Sequence, residues 1–300
     1  MQIIVLGTGA NGGIPQWDCC CPNCTRARSN NDLTRTRSSV AVTLNERNHL
    51  LIDAGPDLKQ QLEVQGIVPT PEEAGPTNRQ SRISAVLLTH GHGDHTVGIA
   101  EFSTGKSFSI PVYASKDLLS FMFGSEEHLN FFGALGRLAK NYVIPVAIHD
   151  GEVFEPLSGV HVESFEVDHT DRMPDRSMYP SSSHCFEIES NGKRFLYLSD
   201  LGKLTDPLVK RIARCELTML DATFWWNDEL TRLSGLQKTS YDLGHVPVQE
   251  IIRILKGLES KVLLTHINHT NPLADPQSEQ ARILKESGIG LAYDGMRIKL

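Results

Sequence analysis

The sequence predicts an α/β fold whose functional groups sit at strand ends. Three observations predict it. Short apolar runs of strand length recur from residue 3 to residue 264, amphipathic stretches of helical spacing separate the later ones, and a histidine or aspartate follows several of the runs within a residue or two. With 300 residues and 40% hydrophobic content there is ample apolar material for a core without covalent staples. The expectation is one domain over 1–300 with a helical insertion at 116–141.

The first strand covers 3–6. The glycine-rich Gly7-Thr8-Gly9-Ala10-Asn11-Gly12-Gly13 after it has the look of a dinucleotide loop, but Ile14-Pro15-Gln16-Trp17 and a run of cysteines follow instead of a helix. A Rossmann unit is therefore excluded. Residues 40–44 and 49–52 form a hairpin around 45–48, ended by Asp53-Ala54-Gly55-Pro56. A helix over 57–65 leads into 69–81, whose prolines and polar residues mark a surface connection. Residues 83–88 form a buried strand, 96–102 a helix and 111–114 a strand. The stretch 116–140 is largely helical, and its Phe121, Phe123, Phe131 and Phe132 read as core or as an oligomer face, which leaves room for a homodimer. Further strands are expected at 160–167, 184–189, 195–198, 217–220 and 262–264, with helices at 206–213, 248–256 and 276–286.

A formal charge of −7 argues against a broad phosphate-binding surface, because duplex nucleic acid is held by clustered Lys and Arg. A small-molecule or modified-peptide substrate is favoured instead. No apolar run is long enough to span a bilayer, and the amino-terminal residues have no basic region or cleavage pattern of a signal peptide. The expected location is the cytoplasm, with neither membrane nor nucleic acid as partner.

The densest signal is Thr89-His90-Gly91-His92-Gly93-Asp94-His95, directly after an apolar strand. Imidazole and carboxylate are ligands of zinc, iron and manganese, and interspersed glycine lets the backbone close around an ion. His90 and His92, two apart on an extended loop, can face one way, while Asp94 and His95 open a helix. One such histidine alone would read as a surface hydrogen-bonding group; the cluster reads as a metal site. Later strands deliver more donors at their ends: His169 after 160–167, Asp200 after 195–198 and His266 after 262–264. Together they suffice for two ions and a bridging carboxylate.

Cys19, Cys20, Cys21 and Cys24 crowd into one short stretch. In a reducing compartment this favours a metal over disulfides, and Cys19, Cys21 and Cys24 have the spacing of a thiolate clip that needs one more ligand from elsewhere. Free thiols or a redox pair are the alternative. Cys185 and Cys215, set among apolar residues, read as core. Phe224-Trp225-Trp226 can wall a pocket or bury against a helix, and His184, just ahead of a strand, reads as a core histidine that could still reach the cleft.

In its motifs the chain resembles the metallo-β-lactamase superfamily along nearly its whole length. His90, His92, Asp94 and His95 match the HxHxDH motif; His169, Asp200 and His266 match its later histidine, bridging aspartate and last histidine; Asp53 matches its early strand-end aspartate. The resemblance implies an αββα sandwich, two mixed β-sheets flanked by helices. It also implies one metal held by His90, His92 and His169 and another by Asp94, His95 and His266, with Asp200 between them, the ions being Zn2+, Fe2+ or Mn2+. Within the superfamily, Gly12 to Cys19 with Cys21 and Cys24, Gly244-His245-Val246, Thr265 to Pro272 and Tyr293-Asp294-Gly295-Met296 resemble the branch serving pyrroloquinoline quinone biosynthesis. That implies a metal-dependent hydrolase or oxygenase acting on a tyrosine- or peptide-derived intermediate. A phosphodiesterase branch is next in kind, and a carrier that holds an intermediate without turnover is a third reading. By the phosphodiesterase pattern His269 joins Cys19, Cys21 and Cys24 around one structural Zn2+. There His245 stands where a histidine protonates a leaving group, beside Asp94 at the catalytic metals; as a plain loop histidine it would bond to the backbone.

Overall fold

The computed structural model describes residues 1–104, 109–123, 142–169 and 183–300. Its first seven-stranded sheet is built from β1 (Gln2–Gly7), β2 (Ser39–Thr43), β3 (His49–Ile52), β4 (Ile83–Leu87), β5 (Ile110–Ser115), β6 (Val143–Ile148) and, from the far end of the chain, β14 (Arg297–Lys299), in the order β14-β1-β2-β3-β4-β5-β6. The second holds β7 (Val153–Leu157), β8 (Val160–Val167), β9 (Ser183–Ser190), β10 (Lys193–Leu198), β11 (Leu217–Asp221), β12 (Lys261–Thr265) and β13 (Gly290–Leu291), in the order β13-β12-β11-β10-β9-β8-β7. Both sheets are mixed. Strands β14 to β3 run antiparallel and β3 to β6 parallel, and in the second sheet β7 to β10 run antiparallel and β10 to β13 parallel.

Apolar runs without polar alternation bury both faces of their strands, and β1 is an example. Ile3 and Val5 pack between the sheets with Val40, Val42, Leu50, Phe186, Phe195, Tyr197, Met219 and Leu263, whereas Ile4 and Leu6 point outward to Leu58, Ile99, Leu118 and Met122. The outer face of the second sheet packs Leu196, Leu198, Leu220 and Leu264 against Leu208 and Ile212, Ile251 and Leu255, and Leu284. These lie on the helices Asp206–Ala213, Val248–Leu255 and Glu279–Glu286. Four layers result, helix on sheet on sheet on helix. Each fully buried aliphatic side chain stabilises them by roughly 1.5–3 kcal/mol.

Several elements differ from the sequence expectation. Residues 96–102 are not an α-helix: the helix is the short Gly93–Thr96, continued as 3-10 turns over Val97–Thr104. The cause is close packing, since Gly98 N donates to the Ala54 carbonyl at 2.7 Å and a side chain on Gly98 would collide with the Gly55 carbonyl. The connection at 69–81 contains the helix Pro71–Ala74, started by a reciprocal Thr70/Glu73 capping box. Of the expected helical stretch 116–141, Lys116–Phe123 is helical and residues 124–141, with Phe131 and Phe132, lie outside the described residues. A helix at Pro22–Ser29, absent from the sequence reading, begins inside the cysteine cluster. Among the described residues no helix is long and apolar enough to cross a membrane.

Candidate metal centre

Carboxyl ends of strands from both sheets meet at one edge of the sandwich. Strand β3 delivers Asp53, β4 delivers Thr89 and His90, β8 His169, β10 Asp200, β11 Asp221 and β12 His266. Asp53 and His266 have φ of 60° and 59°, so each leaves its strand in a sharp left-handed turn that re-aims the side chain. The loop after β3 presses on the helix that carries Asp94 and His95. Ala54 N donates to the His95 carbonyl at 2.7 Å, and a Cβ on Gly55 would sit on the Asp94 carbonyl. Only glycine permits that approach.

The side chains gather chiefly in two groups, His90, His92, His169 and Asp200 on one side and Asp94, His95 and His266 on the other, with His245 forming a third, overlapping group with Asp200 and His266; the donor atoms of each lie within 4.8 Å of one another. Asp200 reaches both. Its Oδ1 is 3.7 Å from His169 Nε2 and 3.6 Å from His266 Nε2, and its Oδ2 is 3.3 Å from His95 Nε2. Asp94 Oδ2 lies 3.3 Å from His95 Nε2 and 3.4 Å from His266 Nε2. Two ligands about 2.05 Å from a tetrahedral ion stand about 3.4 Å apart, so the spacing suits a metal.

Partners behind the histidines decide which nitrogen faces the cluster. His95 Nδ1 donates to Asp53 Oδ2 at 2.8 Å and His169 Nδ1 to the Gly244 carbonyl at 2.8 Å. A carboxylate and a carbonyl only accept, so both rings carry a proton on Nδ1 and Nε2 is the nitrogen turned inward. His90 Nδ1 meets Thr89 Oγ1 at 2.9 Å, with that hydroxyl donating to Asp53; His266 Nδ1 meets Thr223 Oγ1 at 2.8 Å, with that hydroxyl donating to Asp221. His92 is the exception, pointing its Nδ1 at His90 Nε2, 2.8 Å away.

Three of the inward atoms lack a hydrogen-bond partner among the described residues. His95 Nε2, His169 Nε2 and Asp200 Oδ2 are buried without a hydrogen-bond partner, which costs free energy unless a cation completes them. Burial holds His90 well below the ordinary imidazole range and lowers His169 to about 4. Burial pushes the Asp94 and Asp200 carboxyls up, but the surrounding histidines outweigh it and hold both well below the carboxylate range. Burial also disfavours charge on His95, yet Asp94, Asp200 and Asp53 together push it well above the imidazole value. The pocket calls for positive charge, and the donor set is that of a divalent metal.

The cysteine cluster meets His269 across the fold. Cys19 Sγ and Cys21 Sγ lie 3.4 and 3.6 Å from His269 Nδ1, and Cys24 completes the group. A tetrahedral zinc bound by sulfur and nitrogen separates them by about 3.6 Å. Backbone N–H groups of Cys21, Cys24 and Gln16 donate to the sulfurs of Cys19, Cys21 and Cys24, as suits thiolates. Cys21 caps the Pro22–Ser29 helix, and from that helix Asn23 Nδ2 donates to the carbonyls of His269 and Asn271 at 2.9 and 3.0 Å. Cys20 is exposed and outside the group, and Cys185 and Cys215 are buried in the core.

His245 is buried beside the second group. Its Nδ1 lies 2.7 Å from Asp221 Oδ2, and its ring stacks on His266 with centroids 5.7 Å apart. The opening above it is a cleft of about 310 Å³ lined by His92, Asp94, Asp200, His245, His266, Phe224 and Lys238 among others. Phe224 walls the cleft, Trp225 is core and Trp226 lies beside the cysteine group. His184 stays in the sheet, its Nδ1 2.7 Å from Ser164 Oγ. Sequence reasoning missed Thr89, Thr223 and Asp221 as partners, although Asp221 ends a strand and could have been found by the rule that found Asp200.

Residues 48–267 match the Beta-lactamase superfamily domain. Coenzyme PQQ synthesis protein B of Methylobacterium radiotolerans is 32% identical over 312 residues, with both chains covered in full. The crystal structure of Zn2+-bound PqqB from Methylobacterium extorquens superposes with a TM-score of 0.85 at 28% identity over all of both chains. A diphosphatase of the PhnP family shares the fold, with a TM-score of 0.72 at 22% identity over 100% of this chain and 97% of that one. The chain belongs to the beta-lactamase superfamily and, within it, to the family of coenzyme PQQ synthesis protein B.

Proposed function

We propose that the protein is a metal-dependent enzyme of coenzyme PQQ synthesis, acting on a small tyrosine- or peptide-derived intermediate at two divalent ions. The observation that carries the reading is the complete, buried donor set with orphaned atoms turned inward at His95, His169 and Asp200. His90, His92 and His169 would hold one ion, Asp94, His95 and His266 the other, with Asp200 between them and Zn2+ in the Cys19, Cys21, Cys24 and His269 clip. Such a centre would supply a nucleophile from water near neutral pH or, if iron, would activate dioxygen as the oxidant of the substrate. The protein's own contribution is to fix ring tautomers through Asp53, Thr89, Thr223 and the Gly244 carbonyl, to exclude bulk water with Phe224, and to present His245 as a proton donor oriented by Asp221. A cleft of about 310 Å³ suits a one-ring substrate better than a macromolecule.

The buried His245–Asp221 pair favours a second reading, phosphodiester hydrolysis, in which His245 protonates the departing oxygen. Metal analysis of protein purified without added metal tests the division of sites: three ions per chain are expected, falling to two in Cys21→Ala. Turnover of tyrosine-containing peptides and of aryl phosphodiesters then separates the reactions. Activity unchanged in Asp200→Ala refutes catalysis at these residues, and binding without any turnover supports a carrier.

A further inference from the structure

The cleft is acidic in its side chains, with Asp94, Asp200 and Asp242 on its walls, and Lys238 is the one lysine or arginine among its described lining residues. Lys238 joins no ion pair among the described residues. Asp242 is engaged by the turn itself, accepting from Thr239 N at 2.8 Å while its own N–H donates to Thr239 Oγ1 at 3.1 Å.

Lys238 is exposed, but the backbone that carries it is tied to His245. Ser240, two residues on, is buried; its Oγ donates to the His245 carbonyl at 2.7 Å, its carbonyl accepts from His245 N at 3.0 Å, and its N–H donates to the Asn227 carbonyl at 2.7 Å. Gly244, with φ of 76°, closes the turn and offers its carbonyl to His169. Lys238 and His245 thus stand on one hydrogen-bonded segment and both line the cleft, an exposed ammonium and a buried imidazole. An exposed ammonium with no ion pair among the described residues, on a chain of net charge −7, stays hydrated and becomes a charge-assisted donor when an anion enters.

We propose that Lys238 is a specificity-determining residue that binds an anionic group of the substrate, carboxylate or phosphate, on the His245 side of the cleft. The inference rests on the reading of the cleft as a substrate site. It deepens that reading by requiring the substrate to carry a negative charge away from the reacting atoms. Lysine suits either anion because it acts as a point charge with three rotatable donors.

The test measures calorimetric Kd values of metal-loaded protein for two matched pairs of probes, L-tyrosine against tyramine and phenyl phosphate against phenol. Lys238→Ala is expected to weaken the anionic member of a pair roughly tenfold or more and to leave the uncharged or cationic member unchanged. Lys238→Arg should recover most of the loss, and Lys238→Glu should deepen it. A loss for tyrosine alone assigns a carboxylate, and a loss for phenyl phosphate alone assigns a phosphate. Equal Kd in wild type and Lys238→Glu overturns the proposal, as does an equal loss for both members of a pair or no binding of either anion at millimolar concentration. Metal content and the Asp200→Ala comparison are read separately, so failure of the Lys238 contact is distinguishable from failure of the metalloenzyme reading.

Discussion

Replacing Asp53 with asparagine should remove one ion of the proposed metal pair while leaving the other. Asp53 is fully buried and only accepts: its Oδ1 takes Thr89 N and Thr89 Oγ1, both at 2.9 Å, and its Oδ2 takes His95 Nδ1 at 2.8 Å. Asparagine has the same shape and tolerates the φ of 60°, so the backbone is not strained. It has one acceptor, however, and Thr89 N claims it. The amide N–H groups then face His95 Nδ1, which must accept, and the ring proton moves to Nε2. That is the atom 3.3 Å from the carboxylate oxygens of Asp94 and Asp200, where a lone pair is needed. Loss of such a supporting carboxylate costs about 10–100-fold in metal affinity, which is about 1.4–2.7 kcal/mol. His90 keeps Thr89 Oγ1, so the ion held with His92 and His169 should be retained. Metal content after dialysis against a graded chelator should fall by one ion per chain, and histidine 15N shifts should report one ring changed to the Nε2–H form. Wild-type affinity at both positions, or equal loss from both, refutes the tautomer argument.

Two other outcomes follow from buried groups beside the centre. Burial raises Glu229 to about 7, against hydrogen bonds from Thr270 Oγ1 and from the backbone N–H groups of Trp225 and Trp226. A raised carboxyl favours the folded state fully below about 4.5, and the benefit is lost as pH climbs toward about 7; Glu229→Gln should therefore gain stability relative to wild type across that window, by roughly 3 kcal/mol at most. Denaturant unfolding of both proteins at a series of pH values measures it, and parallel curves contradict it. His245→Gln should lower turnover about 100- to 10,000-fold with metal content unchanged. Loss of an ion from that variant would make His245 a ligand instead of a proton donor.

Strands in the middle of each sheet were legible because apolar residues fill both faces, as in β4, β10 and β12. Helices with one clear apolar face were legible too, Asp206–Ala213 to the residue. Strands β6 and β7 were not. Both lie at sheet edges, both contain a proline, Pro145 and Pro156, and their exposed positions break the apolar pattern, which edges tolerate and interior strands do not. The Pro22–Ser29 helix escaped because its cap is a cysteine already engaged with the cluster.

For the site, sequence alone determined which side chains have metal-ligand chemistry and that they follow strands, since donor type and local period are properties of short segments. Tertiary structure decided the rest. It put His269 beside Cys19 and Cys21 across 250 and 248 positions, sorted the donors into two groups around Asp200, and set Asp53, Thr89 and Thr223 behind the rings that face them. No local pattern carries that information. Which nitrogen of an imidazole is bare depends on the partner at its back, and that partner comes from another strand.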